Sequence, residues 1–263
     1  MPDATFSNLF SPELLLHYDA SDAASLFTDT GGTSAASNGN EVKCWKPASD
    51  ATLAVNLTNA NGPTYRSNYA SSGYAALEFD GTNDALLNTS TGMTTGQRAF
   101  VLAAFTFIGA SNTLWCRGNG AAWQRGLCST TTDALQDSGV GTITSSGIPS
   151  ARRVTAWVAG ANQSQVDSLG FSAGNRNNHT PGTLSAAFTV GALNTGSLSQ
   201  FGNFALHEIL VIGANCEWGQ VIRGAKILRN KWGVTDPNAL PQFSNPGGSL
   251  INSQQLVRAG CLS

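Results

Sequence analysis

The stretch that decides the fold is FALHEILVIGANCEWGQVIRGAKILRNKWG, from Phe204 to Gly233. Its first ten residues are almost wholly apolar and predict a buried strand, and the remainder has the period of one amphipathic helix. Asn215 is the predicted N-cap of this helix and Gly233 its C′ residue. The apolar residues of the helix recur at helical spacing and form one stripe, Val221, Ala225, Leu228 and Trp232. A strand that leads directly into a helix, at the end of a chain rich in strand patterns, predicts a two-sheet β-sandwich clasped by one short C-terminal helix.

Strand patterns fill the chain before this stretch. Leu14–Tyr18 predicts an early strand, and the nearly continuous apolar run Arg98–Gly109 predicts a strand buried on both faces. Shorter patterns follow at intervals of about 10–15 residues, which is typical of an all-β sandwich; they are Thr113–Arg117, Gly126–Ser129, Arg153–Ala159 and Ala187–Leu193. We therefore predict one sandwich domain over residues 13–233, an N-terminal arm over 1–12 and an extended tail over 234–263.

The tail leaves two alternatives open. Its three prolines and its Gly-Gly pair are compatible with a solvent-disordered segment. It also carries apolar anchors that a purely solvating tail would not need, namely Phe243, Leu250, Ile251, Leu256 and Val257. These anchors make the second alternative an assembly arm that would order against a neighbouring subunit, and the sequence does not decide between the two.

The composition excludes several classes of partner. Charged residues make up 11% of the 263 residues, against about 25% in an average globular protein, so the surface is built from small polar side chains. A net charge of −2 gives no electrostatic footprint for nucleic acid, and the absence of a long apolar run predicts no membrane span. The N-terminus lacks a signal-peptide pattern, so we expect synthesis in the cytoplasm.

Five scattered cysteines predict free, buried thiols, at Cys44, Cys116, Cys128, Cys216 and Cys261.

Two motifs together resemble a known family. The strand and turn ALEFDGTNDALL (residues 76–87), followed in order by the helix that ends in Lys-Trp-Gly (231–233), is similar to the laminin-G-like, concanavalin A-like jelly-roll domains of bacterial and bacteriophage proteins. The early segment HYDASD (17–22) resembles the start of that family. The resemblance spans roughly residues 17–233 and implies an all-β jelly roll of two antiparallel sheets. It also implies a module that often binds carbohydrate and often lies on a cell or virion surface.

The residues argue against an enzyme. Glycosidases with this sandwich resemble one another through a strand bearing E-x-D-x-x-E, which pairs two carboxylates. The five glutamates, Glu13, Glu41, Glu78, Glu208 and Glu217, have no acidic partner at that spacing. His17, His179 and His207 are isolated in the sequence and have no metal-ligand spacing. We interpret His207 as a hydrogen-bonded strand residue and predict no catalytic residues.

One turn could hold a cation. Asp80, Asn83 and Asp84 bring hard oxygen donors together, as a calcium site requires. Asp-Gly is also ordinary turn chemistry, in which the carboxylate caps its own backbone. We favour the turn and predict no cofactor, with calcium as the alternative.

Two loops are candidates for glycan binding, since sugars need an aromatic face beside amide and guanidinium donors. The first candidate set is Trp115, Arg117, Asn119, Trp123 and Arg125, and the second is Asn175, Arg176, Asn178 and His179. The alternative for Trp115 and Trp123 is that they are core residues at strand ends.

From these patterns we predict a non-enzymatic bacteriophage virion surface protein, either a capsid decoration protein or a head or tail fibre component. Its partners would be other virion proteins or its own copies, reached through the terminal arms. The alternative is a carbohydrate-binding adhesin or receptor-recognition module. Low charge, a small-polar surface and flanking arms suit a protein that is assembled inside the host and exposed later, which favours the virion hypothesis.

Overall fold

The computed structural model describes residues 4–93, 99–109, 112–118, 122–130, 132–138, 141–146, 152–159, 165–167, 186–213 and 215–234. Within these ranges the chain forms two large antiparallel sheets, one short hairpin and two α-helices. The predicted β-sandwich is therefore confirmed. Its strands are numbered β1 to β18 in chain order.

The first sheet, sheet A, has seven strands. Six of them follow the order β14-β13-β8-β18-β6-β5, and β1 pairs with β18 as well. Their bounds are β1 (Leu14–Asp19), β5 (Thr64–Arg66), β6 (Ala76–Asp80), β8 (Ala99–Phe107), β13 (Arg152–Ala159), β14 (Gln165–Asp167) and β18 (Asn203–Gly213).

The second sheet, sheet B, has nine strands in the order β12-β11-β10-β9-β15-β7-β4-β3-β2. Their bounds are β2 (Leu26–Phe27), β3 (Cys44–Trp45), β4 (Leu57–Thr58), β7 (Leu86–Asn88), β9 (Asn112–Arg117), β10 (Gln124–Cys128), β11 (Thr132–Asp137), β12 (Gly141–Ser146) and β15 (Phe188–Val190). A separate hairpin joins β16 (Leu193–Asn194) to β17 (Leu198–Ser199), and β16 contacts β9.

The central strands β8 and β18 have an apolar core on each face. Between the sheets lies the inner core, which contains Phe79, Phe105, Trp115 and Trp157. On the outer side of sheet A lies a second core under the helices, which contains Phe100, Leu210 and Trp232. Burial on both faces explains why the sequences of β8 and β18 are apolar almost without interruption.

The second core is closed by α2 (Trp218–Lys231). Its predicted apolar stripe is confirmed, because Val221, Ala225, Leu228 and Trp232 are all at most 2% exposed. Gly233 has φ +58°, and the N–H of Val234 donates to the carbonyl of Arg229, as in a Schellman C-terminus.

The predicted N-cap of α2 was wrong by two residues. Glu217 is the N-cap, and it forms a capping box in which its N–H donates to Oε1 of Gln220 at 2.9 Å. Asn215 instead donates from Nδ2 to the carboxylate of Glu13 at 3.0 Å. The capping box satisfies two helix N–H groups rather than one, which favours the later start.

The N-terminal segment is not an extended arm over residues 4–10. It forms the helix α1 (Ala4–Phe10), whose Phe6 and Phe10 are at most 1% exposed in the second core. Phe10 packs against Gly224 of α2, where a Cβ atom would lie 2.3 Å from its ring. Burial of two phenylalanines outweighs the weak helical pattern of this segment.

Four cysteines confirm the prediction of free thiols, since Cys44, Cys116, Cys128 and Cys216 are buried and unbonded to one another. Cys261 and the predicted tail from residue 235 onward lie outside the described residues. Neither described helix is long and apolar enough to cross a bilayer.

Candidate functional site

A chain of charged side chains lies between sheet A and the two helices. Nδ1 of His17 contacts the carboxylate of Asp50 at 2.8 Å, and Nε2 contacts Oε1 of Glu208 at 2.7 Å. His17 and Glu208 are both fully buried. Burial alone would lower the pKa of His17, but the hydrogen bonds from Asp50 and Glu208 outweigh it and raise this pKa to about 9. The imidazole is therefore charged at neutral pH and donates from both nitrogens.

The chain continues to the end of α2. Oε2 of Glu208 accepts from the indole Nε1 of Trp232 at 2.6 Å and lies 2.8 Å from Nζ of Lys231. The same ammonium is 2.7 Å from Oδ2 of Asp19. Burial opposes the charged form of Lys231, but Glu208 and Asp19 outweigh it and raise its pKa. We call Asp19, His17, Asp50, Glu208, Lys231 and Trp232 the clasp network, since it ties β1, β18 and α2 together.

The clasp network brings two carboxylates together that no sequence spacing connects. His17, Asp19 and Glu208 each place a ligand atom within 4.8 Å of the others, a spacing that could hold a metal ion. The Lys231 ammonium, however, already lies between the two carboxylates, and both oxygens of Glu208 have protein partners. Glu208 is fully buried. The pair is therefore arranged as a buried salt bridge rather than as an open acid–base pair.

His207 lies beside this network and has partners of its own. Its Nδ1 contacts the carbonyl of Ala75 at 2.7 Å, and its Nε2 contacts the hydroxyl of Thr106 at 3.0 Å. Burial lowers the pKa of His207 to about 4, so the ring is neutral at pH 7. Its interpretation as a hydrogen-bonded strand residue is confirmed.

The Asp80–Asp84 turn has the hydrogen bonds of a capped turn. Oδ1 of Asp80 accepts from the N–H of Thr82 at 2.7 Å, and Oδ2 of Asp84 accepts from the N–H of Asp80 at 2.9 Å. Burial raises the pKa of Asp84 to about 6, against the effect of that backbone bond and with the help of the Asp80 and Glu41 charges. The favoured turn interpretation accounts for these contacts, and calcium at Asp80, Asn83 and Asp84 stays an alternative.

The first candidate loop for glycan binding is divided between the two faces of sheet B. Trp115 is fully buried, with its ring 6.0 Å from that of Trp157 and 6.3 Å from that of Phe188. It therefore belongs to the inner core, which is the alternative that the sequence left open for it, and its indole is not available to a sugar. Arg117 is 2% exposed, and burial lowers its pKa to about 10.

Trp123 and Arg125 lie on the opposite, outward face. Asp133 and Leu135 point inward, since Asp133 accepts from Arg153 of sheet A and Leu135 joins the inner core. Alternation along β11 then turns Thr132, Ala134 and Gln136 outward, together with the residues paired directly opposite them on β10 and β12. The outward positions are Trp123, just before β10, and residues of the three strands, namely Arg125, Leu127, Thr132, Ala134, Gln136, Thr142 and Thr144. We call this surface, together with Gln200 at its border, the β10 face.

Polar contacts fix the centre of the β10 face. Nε of Arg125 donates to Oε1 of Gln136 at 2.7 Å, and Nη1 donates to Oγ1 of Thr113 at 3.0 Å and to Oε1 of Gln200. The guanidinium carbon lies 5.2 Å from the centre of the Trp123 ring, which is half-buried. A half-exposed indole beside ordered amides and a guanidinium is the combination that sugar binding requires.

Several predicted residues lie outside the described part of the chain. These are Asn119 of the first loop and the whole second loop, Asn175, Arg176, Asn178 and His179. Their role in glycan binding stays a prediction. Sequence reasoning missed Gln136 and Gln200, because only strand register brings them beside Arg125.

Comparisons with known proteins bear on the fold. No family model matches the sequence, and no curated protein matches it either. A mutant GH54 α-L-arabinofuranosidase soaked with 4-nitrophenyl α-L-arabinofuranoside shares 13% identity at a TM-score of 0.53, over 84% of this chain and 59% of that one. The chain has a lectin-like jelly-roll fold. The fold predicted from its motifs is thus confirmed.

Two further solved structures are less similar. Domain 4 of AbnA, a GH43 extracellular arabinanase from Geobacillus stearothermophilus in complex with arabinotriose, has 14% identity and a TM-score of 0.48. The match covers 81% of this chain and 98% of that domain. The LG4-5 domains of mouse laminin α1 match at 12% identity and a TM-score of 0.40, over 60% of this chain and 44% of theirs.

Proposed function

We propose that this protein is a carbohydrate-binding jelly-roll module and that the β10 face is its binding surface. The observation that carries the proposal is the contact between Trp123 and Arg125, 5.2 Å apart on an outward sheet face. The indole supplies apolar area for a sugar ring, and Gln136 and Gln200 supply amide donors for hydroxyl groups. The fold that the chain shares with an arabinofuranoside-treated GH54 enzyme supports the same class of ligand.

The binding test uses a glycan array followed by titration calorimetry of the best neutral and acidic ligands. Trp123→Ala should weaken binding about tenfold, since the indole stacking is lost. Ile108→Ala is the matched control because it also removes exposed apolar surface, from a side chain 41% exposed at the end of β8. Equal affinities of the Trp123 and Ile108 variants would remove the β10 face as the binding surface.

We further propose that the module is not catalytic. A glycosidase needs two carboxyl groups that flank the scissile bond. The close pair Asp19 and Glu208 is instead bridged by Lys231, and Glu208 is fully buried. Hydrolysis of 4-nitrophenyl α-L-arabinofuranoside is the direct assay. Turnover by the intact protein that disappears in Glu208→Gln would contradict this proposal.

The virion-surface role stays a prediction from composition. A glycan-binding jelly roll on a particle would fit both hypotheses, with residues 235–263 as the attachment arm. Truncation after Val234 followed by light scattering tests the arm. A smaller oligomer is the expected result, and an unchanged number of subunits per particle would count against assembly through the tail.

A further inference from the structure

Among the outward side chains of the β10 face that the structure describes, Arg125 is the only charged one. Its described hydrogen bonds all go to neutral oxygens, those of Gln136, Thr113 and Gln200. No ion pair in the described part of the chain includes Arg125. These bonds hold the guanidinium in place but leave its charge without a counter-ion.

Burial makes that charge costly. Arg125 is 7% exposed, and this burial lowers its pKa. Buried charges in proteins are normally paired, because the desolvation penalty is large otherwise. Arg153 shows the usual arrangement, since its Nη2 lies 2.5 Å from Oδ1 of Asp133. The unpaired arrangement of Arg125 at the surface sheet therefore points to a counter-ion that comes from outside the chain.

The surrounding sequence adds positive charge. Residues 85–203 contain six arginines and three aspartates, and no lysine or glutamate. The whole chain has a net charge of −2. The segment that contributes the β10 face is thus basic within an acidic protein, and on the face itself the positive charge is that of Arg125.

Gln200 occupies the position where such a ligand would bind. Its side-chain oxygen accepts from Nη1 of Arg125, yet the residue itself is exposed. Its backbone has φ +49°, a left-handed conformation that is unfavourable for a residue with a Cβ atom. Strain of this kind is found preferentially at binding sites. Because the Gln200 side chain is exposed, its amide oxygen can exchange Nη1 for water at little cost, and a carboxylate oxygen of the ligand can then take its place.

We infer that the ligand of the β10 face is an acidic glycan whose carboxylate replaces the amide oxygen of Gln200 on Arg125, with the sugar ring against Trp123. This inference rests on the proposed function and names its ligand class. A carboxylate on the guanidinium pairs two opposite charges where water is largely excluded, which the neutral amide oxygen of Gln200 cannot do. The contact with Arg125 would therefore distinguish acidic from neutral sugars.

The experiment compares carboxylated polysaccharides with their own methyl esters, which keep the backbone and remove the charge. Polygalacturonate, alginate and hyaluronan are the probes, and affinity is measured by calorimetry. At least one free acid should bind about tenfold more tightly than its ester, and added sodium chloride should reduce that difference.

Gln200→Glu is the decisive variant, because it places a carboxylate inside the protein at the ligand's position. It should reduce affinity for the free acid about tenfold while the ester is unaffected. Ser67→Glu is the matched control, since it adds the same charge at an exposed residue beside β5, at the edge of the other sheet. Thermal unfolding of both variants verifies that they fold.

The outcomes separate the inference from the proposed function. Equal binding of acids and esters, or a stronger preference for sulfated glycans or nucleic acid, would overturn the inference. Neutral-glycan binding that depends on Trp123 would then still support the proposed function. A protein that binds neither neutral nor acidic glycans would contradict both.

Discussion

Asp19 and Glu208 lie directly opposite each other in the antiparallel pair β1–β18, and the ammonium of Lys231 binds both carboxylates, at 2.7 and 2.8 Å. Two like charges on neighbouring strands would repel each other. Lys231 lies in the last turn of α2, and its positive charge offsets the repulsion between the two carboxylates. The clasp network therefore holds α2 on sheet A.

Replacing Lys231 should consequently destabilise the fold strongly. Lys231→Met keeps the apolar stem but leaves Asp19 without a cation and Glu208 with His17 as its remaining cation. We expect this change to lower the free energy of unfolding by about 3 kcal/mol. Urea denaturation measures the change. Lys226→Met is the control, because Lys226 is an exposed lysine of the same helix and its loss should cost under about 0.5 kcal/mol. Similar midpoints for the two variants would show that the clasp is energetically neutral.

The two buried histidines should respond to pH in opposite directions. The pKa of His17 is raised from 6.5 to about 9, so its stabilising contribution is complete below pH 6.5 and is lost as the pH rises to 9. The contribution is about 3 kcal/mol. Urea midpoints measured across this interval should fall in the native protein and stay nearly flat in His17→Gln.

His207 provides the comparison within the same molecule. Its pKa is lowered to about 4, so its stabilising contribution is present above pH 6.5 and is lost as the pH falls towards 4. His207→Gln should therefore alter the acid side of the stability profile and leave the alkaline side unchanged. If the urea midpoint of His17→Gln still falls between pH 6.5 and 9, the alkaline loss of stability belongs to a group other than His17.

Local patterns predicted the elements that are long and periodic. The buried strand β8, the apolar stripe of α2 and the left-handed Gly233 all depend on residues close together in the sequence. Each lies at the predicted position. α1 was missed, because its stability comes from Phe6 and Phe10 in a core that other elements build.

The candidate site could be predicted only in part, because strand register decides it. Trp115 and Trp123 flank the same hairpin and look equivalent in the sequence. Register places Trp115 opposite Gly126 on the inner face, whereas Trp123 is outward beside Arg125. The clasp network was missed for the same reason, since His17 and Glu208 are 191 residues apart in sequence.

The contact between Trp115 and Gly126 gives a test of that register. A Cβ atom at Gly126 would lie 2.1 Å from Nε1 of Trp115, whose ring is enclosed by the inner core. Gly126→Ala should therefore cost about 1–3 kcal/mol through overpacking. Gly219→Ala is the control, because a Cβ there would meet no atom within 4 Å and the residue lies in α2. It should be neutral or stabilising by up to about 1 kcal/mol. A tolerated alanine at position 126 would contradict the inward placement of Trp115.

Phe6 connects the missed helix to the clasp network. Its ring contacts His17 edge-on at 5.5 Å and is fully buried, so α1 keeps water from the imidazole. Phe6→Ala should cost about 3–5 kcal/mol. It should also bring the pKa of His17 closer to its ordinary value, since water screens the Asp50 and Glu208 charges. The alkaline loss of stability then becomes smaller, which urea midpoints between pH 6.5 and 9 measure.

The control is Leu9→Ala, on the same helix and only partly buried, which should lower stability less and keep the full pH dependence. If both variants keep it, α1 does not seal the network.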